Sequence, residues 1–158
     1  MSIGVTMYKT GILGTLVLVL AIQQTAYPQP PGEQPKPGVT KFTIENCVNR
    51  FDKDKTEPTG AGCQYWFAGK QFLGDGRTLK MSVVAPHKAT HAPHKHAEDE
   101  FFFVLDGTAE FYLDGRTAIA GPYTSFYCPP NVEHGIRNVG DTELKYLVIK
   151  KYQLEKDQ

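Results

Sequence analysis

Residues 100–121 read EFFFVLDGTAEFYLDGRTAIAG. Two Asp-Gly dipeptides, Asp106-Gly107 and Asp114-Gly115, each separate runs rich in aromatic and β-branched residues. Asp-Gly is a dipeptide that two-residue hairpin turns select, because both turn positions need positive φ. The stretch therefore predicts a meander of three strands in which Val104 pairs with Ala109. Working outward, further strands are expected at residues 79–85, 124–128, 133–138 and 143–151. The segments KFTIENCVNRF (41–51) and CQYWFAGKQFL (63–73) are strand candidates on either side of a charged, turn-rich stretch, DKDKTEPTGAG (52–62). Residues 45–52 could instead form a short helical turn. No segment after Val39 carries helical periodicity over about 11 residues. The expected class is all-β, a barrel or sandwich of short strands.

The N-terminus is organised differently. Lys9 precedes the apolar run GILGTLVLVLAI (11–22), and QQTA follows to Ala26. At 12 residues the run is shorter than the roughly 20 that span a bilayer, so residues 1–26 read as a signal peptide rather than an anchor. Export to the periplasm or outside the cell follows, with the membrane met only through this segment. Residues 27–38, YPQPPGEQPKPG, hold five prolines and read as an extended linker. The folded domain is expected over 39–158.

Lys plus Arg and Asp plus Glu balance at 17 each, so there is no broad cationic excess to hold a phosphate backbone, and nucleic acid is not an expected partner. Three cysteines remain after export. Cys47 and Cys63 could pair as a disulfide, which would stabilise by about 3 kcal/mol through loop closure; the alternative is that all three cysteines are small buried apolar groups. Cys128, between Tyr127 and Pro129, reads as a buried strand end.

All five histidines lie in the second half, and His87, His91, His94 and His96 fall within ten residues. Side chains alternate along a strand. His94, His96 and Glu100 share parity, so two imidazoles and a carboxylate can face one side, with Phe102 and Val104 after them. Ala109, Phe111 and Leu113 would supply an apolar floor. A compact N/O site needs a fourth ligand, and His134 lies outside the cluster in PPNVEHGIRN. A lone histidine at a strand start is more often a satisfied structural group, so on its own it leaves both roles open.

These residues resemble the cupin superfamily. Its first motif is His, any residue, His, three or four residues, Glu, six residues, Gly; here His94, His96, Glu100 and Gly107 stand at those spacings. In the second motif Pro129, His134 and Asn138 are in place. Asn131 stands where the family has Gly, and Gly121 precedes Pro129 by seven intervening residues rather than five. Asn tolerates left-handed backbone, so that substitution is mild. The resemblance covers about residues 80–150. It implies a single jelly-roll β-barrel holding one divalent metal ion through His94, His96, Glu100 and His134. It also implies a homodimer, which the outward Phe101 and Phe103 would suit.

Three imidazoles and a carboxylate suit Mn, Fe, Ni, Co or Zn. Open coordination positions would admit a small oxygen-rich ligand or substrate. An enzyme that isomerises or opens a sugar acid, or an Fe-dependent dioxygenase, is one expectation. A non-catalytic metal-dependent binding cupin is the other. Glu98, His91 and Tyr127 are the candidate general bases. Arg116 and Arg137 could each hold a carboxylate, although Arg137 has the wrong parity to face inward with His134. His87 is expected to be solvated.

Overall fold

A computed structural model describes residues 42–154. The expected signal peptide (1–26) and linker (27–38) lie outside the described residues. A four-residue helix, α1 (Ile44–Cys47), and a 3₁₀ turn at Lys53–Lys55 lead into nine strands. They are β1 (Glu57–Thr59), β2 (Gly62–Ala68), β3 (Arg77–Val84), β4 (Glu100–Asp106), β5 (Ala109–Leu113), β6 (Arg116–Ala120), β7 (Ser125–Cys128), β8 (His134–Asn138) and β9 (Leu144–Lys151). They form a six-stranded sheet ordered β1-β2-β3-β9-β4-β7 and a three-stranded sheet ordered β6-β5-β8. All the pairings recorded are antiparallel. The all-β jelly-roll class holds, although the hydrogen-bonded ladder does not close. Pro58 sits in β1 at a sheet edge, where its missing N–H costs no ladder bond.

Strict alternation sets the core. Even-numbered residues of β9, and of β4 as far as Val104, point inward, and Val104 and Leu144 are fully buried. Ala109, Phe111 and Ile136 meet them from the smaller sheet, and the Phe111 and Phe126 rings stack at 4.6 Å across the gap. Burying each large apolar side chain stabilises by roughly 1.5–3 kcal/mol. A one-residue slip would expose a whole set, so burial fixes the register.

Several expectations are corrected. Asp114-Gly115 is a hairpin turn, with φ of 47° and 81° and Leu113 opposite Arg116. Asp106-Gly107 is not. β4 pairs with β7 and β9, and β5 with β6 and β8, so the chain steps between sheets there and Val104 does not pair with Ala109. Gly107, at φ 86°, is required at the step: a Cβ would lie 2.5 Å from the Glu143 carbonyl oxygen. Residues 42–51 contain α1, which bears out the short helical turn offered as the alternative to a strand there, and β1 lies inside the stretch read as turns. Cys47 and Cys63 are both free. Cys47 closes α1 at the surface, its thiol beside Asn46, while Cys63 is held in the β2 ladder opposite Val83.

Candidate metal centre

Residues 85–99 carry both histidines of the first motif, and apart from one bridge they contain no strand. His94 and His96 are therefore not on the strand that Glu100 opens. They are brought to it by pinning this segment along β8. The bridge joins His94 and His134 through both backbone bonds, at 3.0 and 2.9 Å. Pro93 packs on Gly135, where a Cβ would lie 3.3 Å from Pro93 Cα. The Asn131 N–H donates to the His96 carbonyl at 2.7 Å. Asn131 has φ 60°, the left-handed conformation expected of a residue standing in for glycine.

His96 Nδ1 lies 2.7 Å from the Glu98 carbonyl, and His134 Nδ1 lies 2.8 Å from the Val132 carbonyl. A carbonyl only accepts, so each Nδ1 carries the proton, and a neutral ring then presents a bare lone pair at Nε2. Both lone pairs converge on Glu100 Oε1, which is 3.1 Å from His134 Nε2 and 3.6 Å from His96 Nε2. Acceptors this close repel unless a proton on Nε2 or a metal cation lies among them, and the 3.1 Å contact is a hydrogen bond where His134 carries that proton. His96 Nε2 and His94 Nδ1 are also buried without a hydrogen-bond partner, and one ligand atom from each of His94, His96 and His134 falls within 4.8 Å of the others. The donor set thus fits a divalent transition metal. Burial lowers the His94 pKa, as do the neighbouring imidazoles, starting with His91. That favours the neutral form a metal requires.

Cys128 was not anticipated at this site. It sits directly opposite Glu100 in the β4–β7 ladder and forms a second compact group with Glu100 and His134. Burial, then the Glu100 carboxylate, push its thiol up to about 12, so it stands as a neutral thiol under the carboxylate. The inward parity of Phe126 and Cys128 was the available signal.

A cavity of about 280 Å³ opens beside the cluster, bounded by Gln64, Lys80, Ser82, Tyr146 and Lys150 as well as His94 and Glu100. Lys80 and Lys150 were missed. Both occupy inward positions of their strands, so parity could have found them. Of the candidate bases, His91 borders this cavity with its ring 4.4 Å from that of His94. Glu98 supplies the carbonyl that orients His96, but its side chain borders a separate surface hollow. Hydrogen bonding to its own backbone amide holds the Glu98 carboxyl below the usual range. Tyr127 is corrected: it projects from the outer face of the sheet against Phe101, at 4.8 Å, with its hydroxyl 3.4 Å from Asp99. Arg137 faces outward and pairs with Glu110 at 2.6 Å. Arg116 is exposed at the start of β6, and His87 is exposed and paired with Asp141.

A two-sheet jelly roll with histidines and a glutamate gathered at one end of its interior defines a cupin. Residues 80–150 match the family model described as a cupin domain, and this part of the chain is a domain of the cupin superfamily. A 65-residue stretch is 32% identical to an uncharacterized HTH-type transcriptional regulator of Bacillus subtilis, YobQ. That match covers 41% of this chain and 27% of the regulator, so the chain spans about a quarter of that relative. Among solved structures, the plu4264 protein of Photorhabdus luminescens superposes with a TM-score of 0.59 at 17% identity, over 70% of this chain and 89% of that one. A predicted oxalate decarboxylase of Thermotoga maritima gives 0.58 at 19%, over 66% and 97%. The polyketide cyclase RemF of Streptomyces resistomycificus gives 0.55 at 21%, over 66% and 79%. At these identities the likeness speaks to the fold.

Proposed function

We propose that this protein is an exported cupin that holds one divalent metal ion through His94, His96, Glu100 and His134 and acts on a small oxygen-rich molecule. The reaction classes that fit are isomerisation or ring opening of a sugar acid, or dioxygenation with iron. The observation that carries the reading is the convergence of two imidazole Nε2 atoms on Glu100 Oε1 beside a cavity with a polar lining. An ion held there supplies Lewis acidity. The chain's own residues do the rest. The Glu98 and Val132 carbonyls hold two imidazoles in the ligating tautomer. His91 is the group at the cavity able to move a proton at a bound ligand.

A second reading, ligand binding without turnover, is favoured by the positions of Glu98 and Tyr127 outside the cavity, which leave His91 as the one candidate base on it. The likeness to a protein named as a transcriptional regulator is in keeping with this reading.

The deciding experiment is metal content by mass spectrometry on purified protein, compared with His96→Ala and Glu100→Ala. About one equivalent, lost in both variants, is expected. Metal content unchanged by either substitution refutes the site. The identity of the metal then separates dioxygen chemistry from isomerisation, and assay of the loaded protein against sugar acids separates turnover from binding.

A further inference from the structure

Lys150 is the last inward residue of β9, and only 8% of it is exposed. A buried ammonium needs anionic or strongly polar partners. Its nearest carboxylates are Glu100 Oε2 at 3.8 Å and Glu98 Oε2 at 3.9 Å, both beyond hydrogen-bond length. Lys80, inward on β3, lines the same cavity, with its Nζ 5.1 Å from the centre of the Trp66 ring. Two lysines and the Glu100 carboxylate thus line one small space, with the Glu98 carboxylate outside it beside Lys150. A divalent ion at Glu100 would add two more positive charges and draw on the one carboxylate that lines the cavity with the lysines.

We propose that this cavity is a receptor for carboxylate-bearing ligands, with Lys80 and Lys150 gripping the carboxylate while the rest of the ligand faces His94 and Glu100. The inference rests on the proposed function in taking this cavity as the ligand site, and it names the ligand's charge. A purely structural role, neutralising Glu100, would account for Lys150 but not for a second cation on the same wall. Burial lowers the Lys80 pKa, Glu100 raises it, Lys150 lowers it again and Glu57 raises it, so each lysine feels the other across the cavity. The remaining polar wall, with Gln64, Ser82, Thr90 and Tyr146, offers neutral donors and acceptors that suit ligand hydroxyl groups. A volume of about 280 Å³ is at the lower end of small-molecule pockets, so the ligand is a small acid.

The probe is malonate, with its neutral analogue malonamide as control, titrated calorimetrically into chelator-stripped and manganese-reconstituted protein. Wild type is expected to bind malonate at least tenfold more tightly than malonamide in both forms. Lys80→Met and Lys150→Met should each cut that preference at least fivefold, and Lys80→Arg should retain it, showing that charge rather than shape is read. Thermal melting confirms that each variant is folded. A preference near one in wild type, or one that survives both methionine substitutions, overturns the inference. Metal content on the same samples keeps the two readings apart. One retained equivalent with no anion preference sinks only this proposal. A preserved, lysine-dependent preference without retained metal supports it and sinks the metal centre.

Discussion

Replacing Asn138 with Ala should lower the melting temperature by about 10 °C. The side chain is 1% exposed and ties three segments together. Its Nδ2 donates to the Val84 carbonyl at 3.0 Å and to the Thr142 carbonyl at 2.7 Å, and its Oδ1 accepts from the Gly140 N–H at 2.9 Å. Each lost bond costs about 1 kcal/mol net, and the total of about 3 kcal/mol assumes that no water repairs the site. For a domain of roughly 110 residues, 1 kcal/mol moves the midpoint by about 3–4 °C. Asn138→Asp discriminates further. It keeps the acceptor for Gly140 but turns a carboxylate toward two carbonyl oxygens, so it should be worse than Ala. Metal content at 25 °C should be unchanged in Asn138→Ala, because the bridge holding His94 to His134 is made by backbone at the other end of β8. Calorimetric melting with urea unfolding is the assay. A shift under about 3 °C, or an Asp variant more stable than the Ala variant, would refute the assignment of Asn138 as the clasp.

Three further outcomes are expected. In chelator-stripped protein, His94 binds a proton less readily folded than unfolded, because burial lowers its pKa from 6.5. The unfolded chain therefore takes up more protons as pH falls below 6.5, and stability present above that pH declines through the window beneath it. His94→Gln should flatten this part of the melting-temperature profile between pH 8 and 5, and an unchanged slope would count against it. With its pKa at about 12, Cys128 holds roughly one thiolate in ten thousand at pH 8. Iodoacetamide followed by peptide mass spectrometry should label Cys47 in the folded protein and Cys128 only after unfolding, and equal labelling rates would contradict the burial argument. Finally, Phe101, Tyr127 and Ile149 are each more than 40% exposed on the outer face of the large sheet, the surface we propose for a homodimer. Phe101→Glu with Ile149→Glu should halve the mass found by light scattering, whereas a monomeric wild type would end that proposal.

Much of the candidate site was legible because its spacing is short-range. His94, His96 and Glu100 stand within seven residues, and His134 follows a Pro-Pro-Asn turn whose left-handed Asn131 could be anticipated. The route by which they meet was not legible. Parity along one strand would unite the first three, yet two of them ride on an irregular segment held by β8, and no local pattern announces a bridge between residues 40 apart. Asp106-Gly107 misled for a related reason. Its dihedral preference is satisfied equally by a hairpin and by a step between sheets, and the choice is made at the start of β9, where Leu144 and the preceding Glu143 approach Gly107 from far along the chain.

The same long-range pairing accounts for the cavity's charge. Across the large sheet, Thr78, Lys150, Glu100 and Cys128 are successive partners on β3, β9, β4 and β7, so they form one polar rung. Two residues further along β9 and β4, Val148 and Phe102 are partners, and beyond them the interior closes on Val104 and Leu144. Lys150 reaches the rung because Leu144, Tyr146 and Val148 must face the core. Each of those burials stabilises by roughly 1.5–3 kcal/mol, enough together to carry one partly compensated ammonium inward. A shift of β9 by one residue would place Ile149 or Lys151 opposite Glu100 and turn the apolar set outward. The alternation that folds the sheet therefore also sets which charge stands beside the carboxylate.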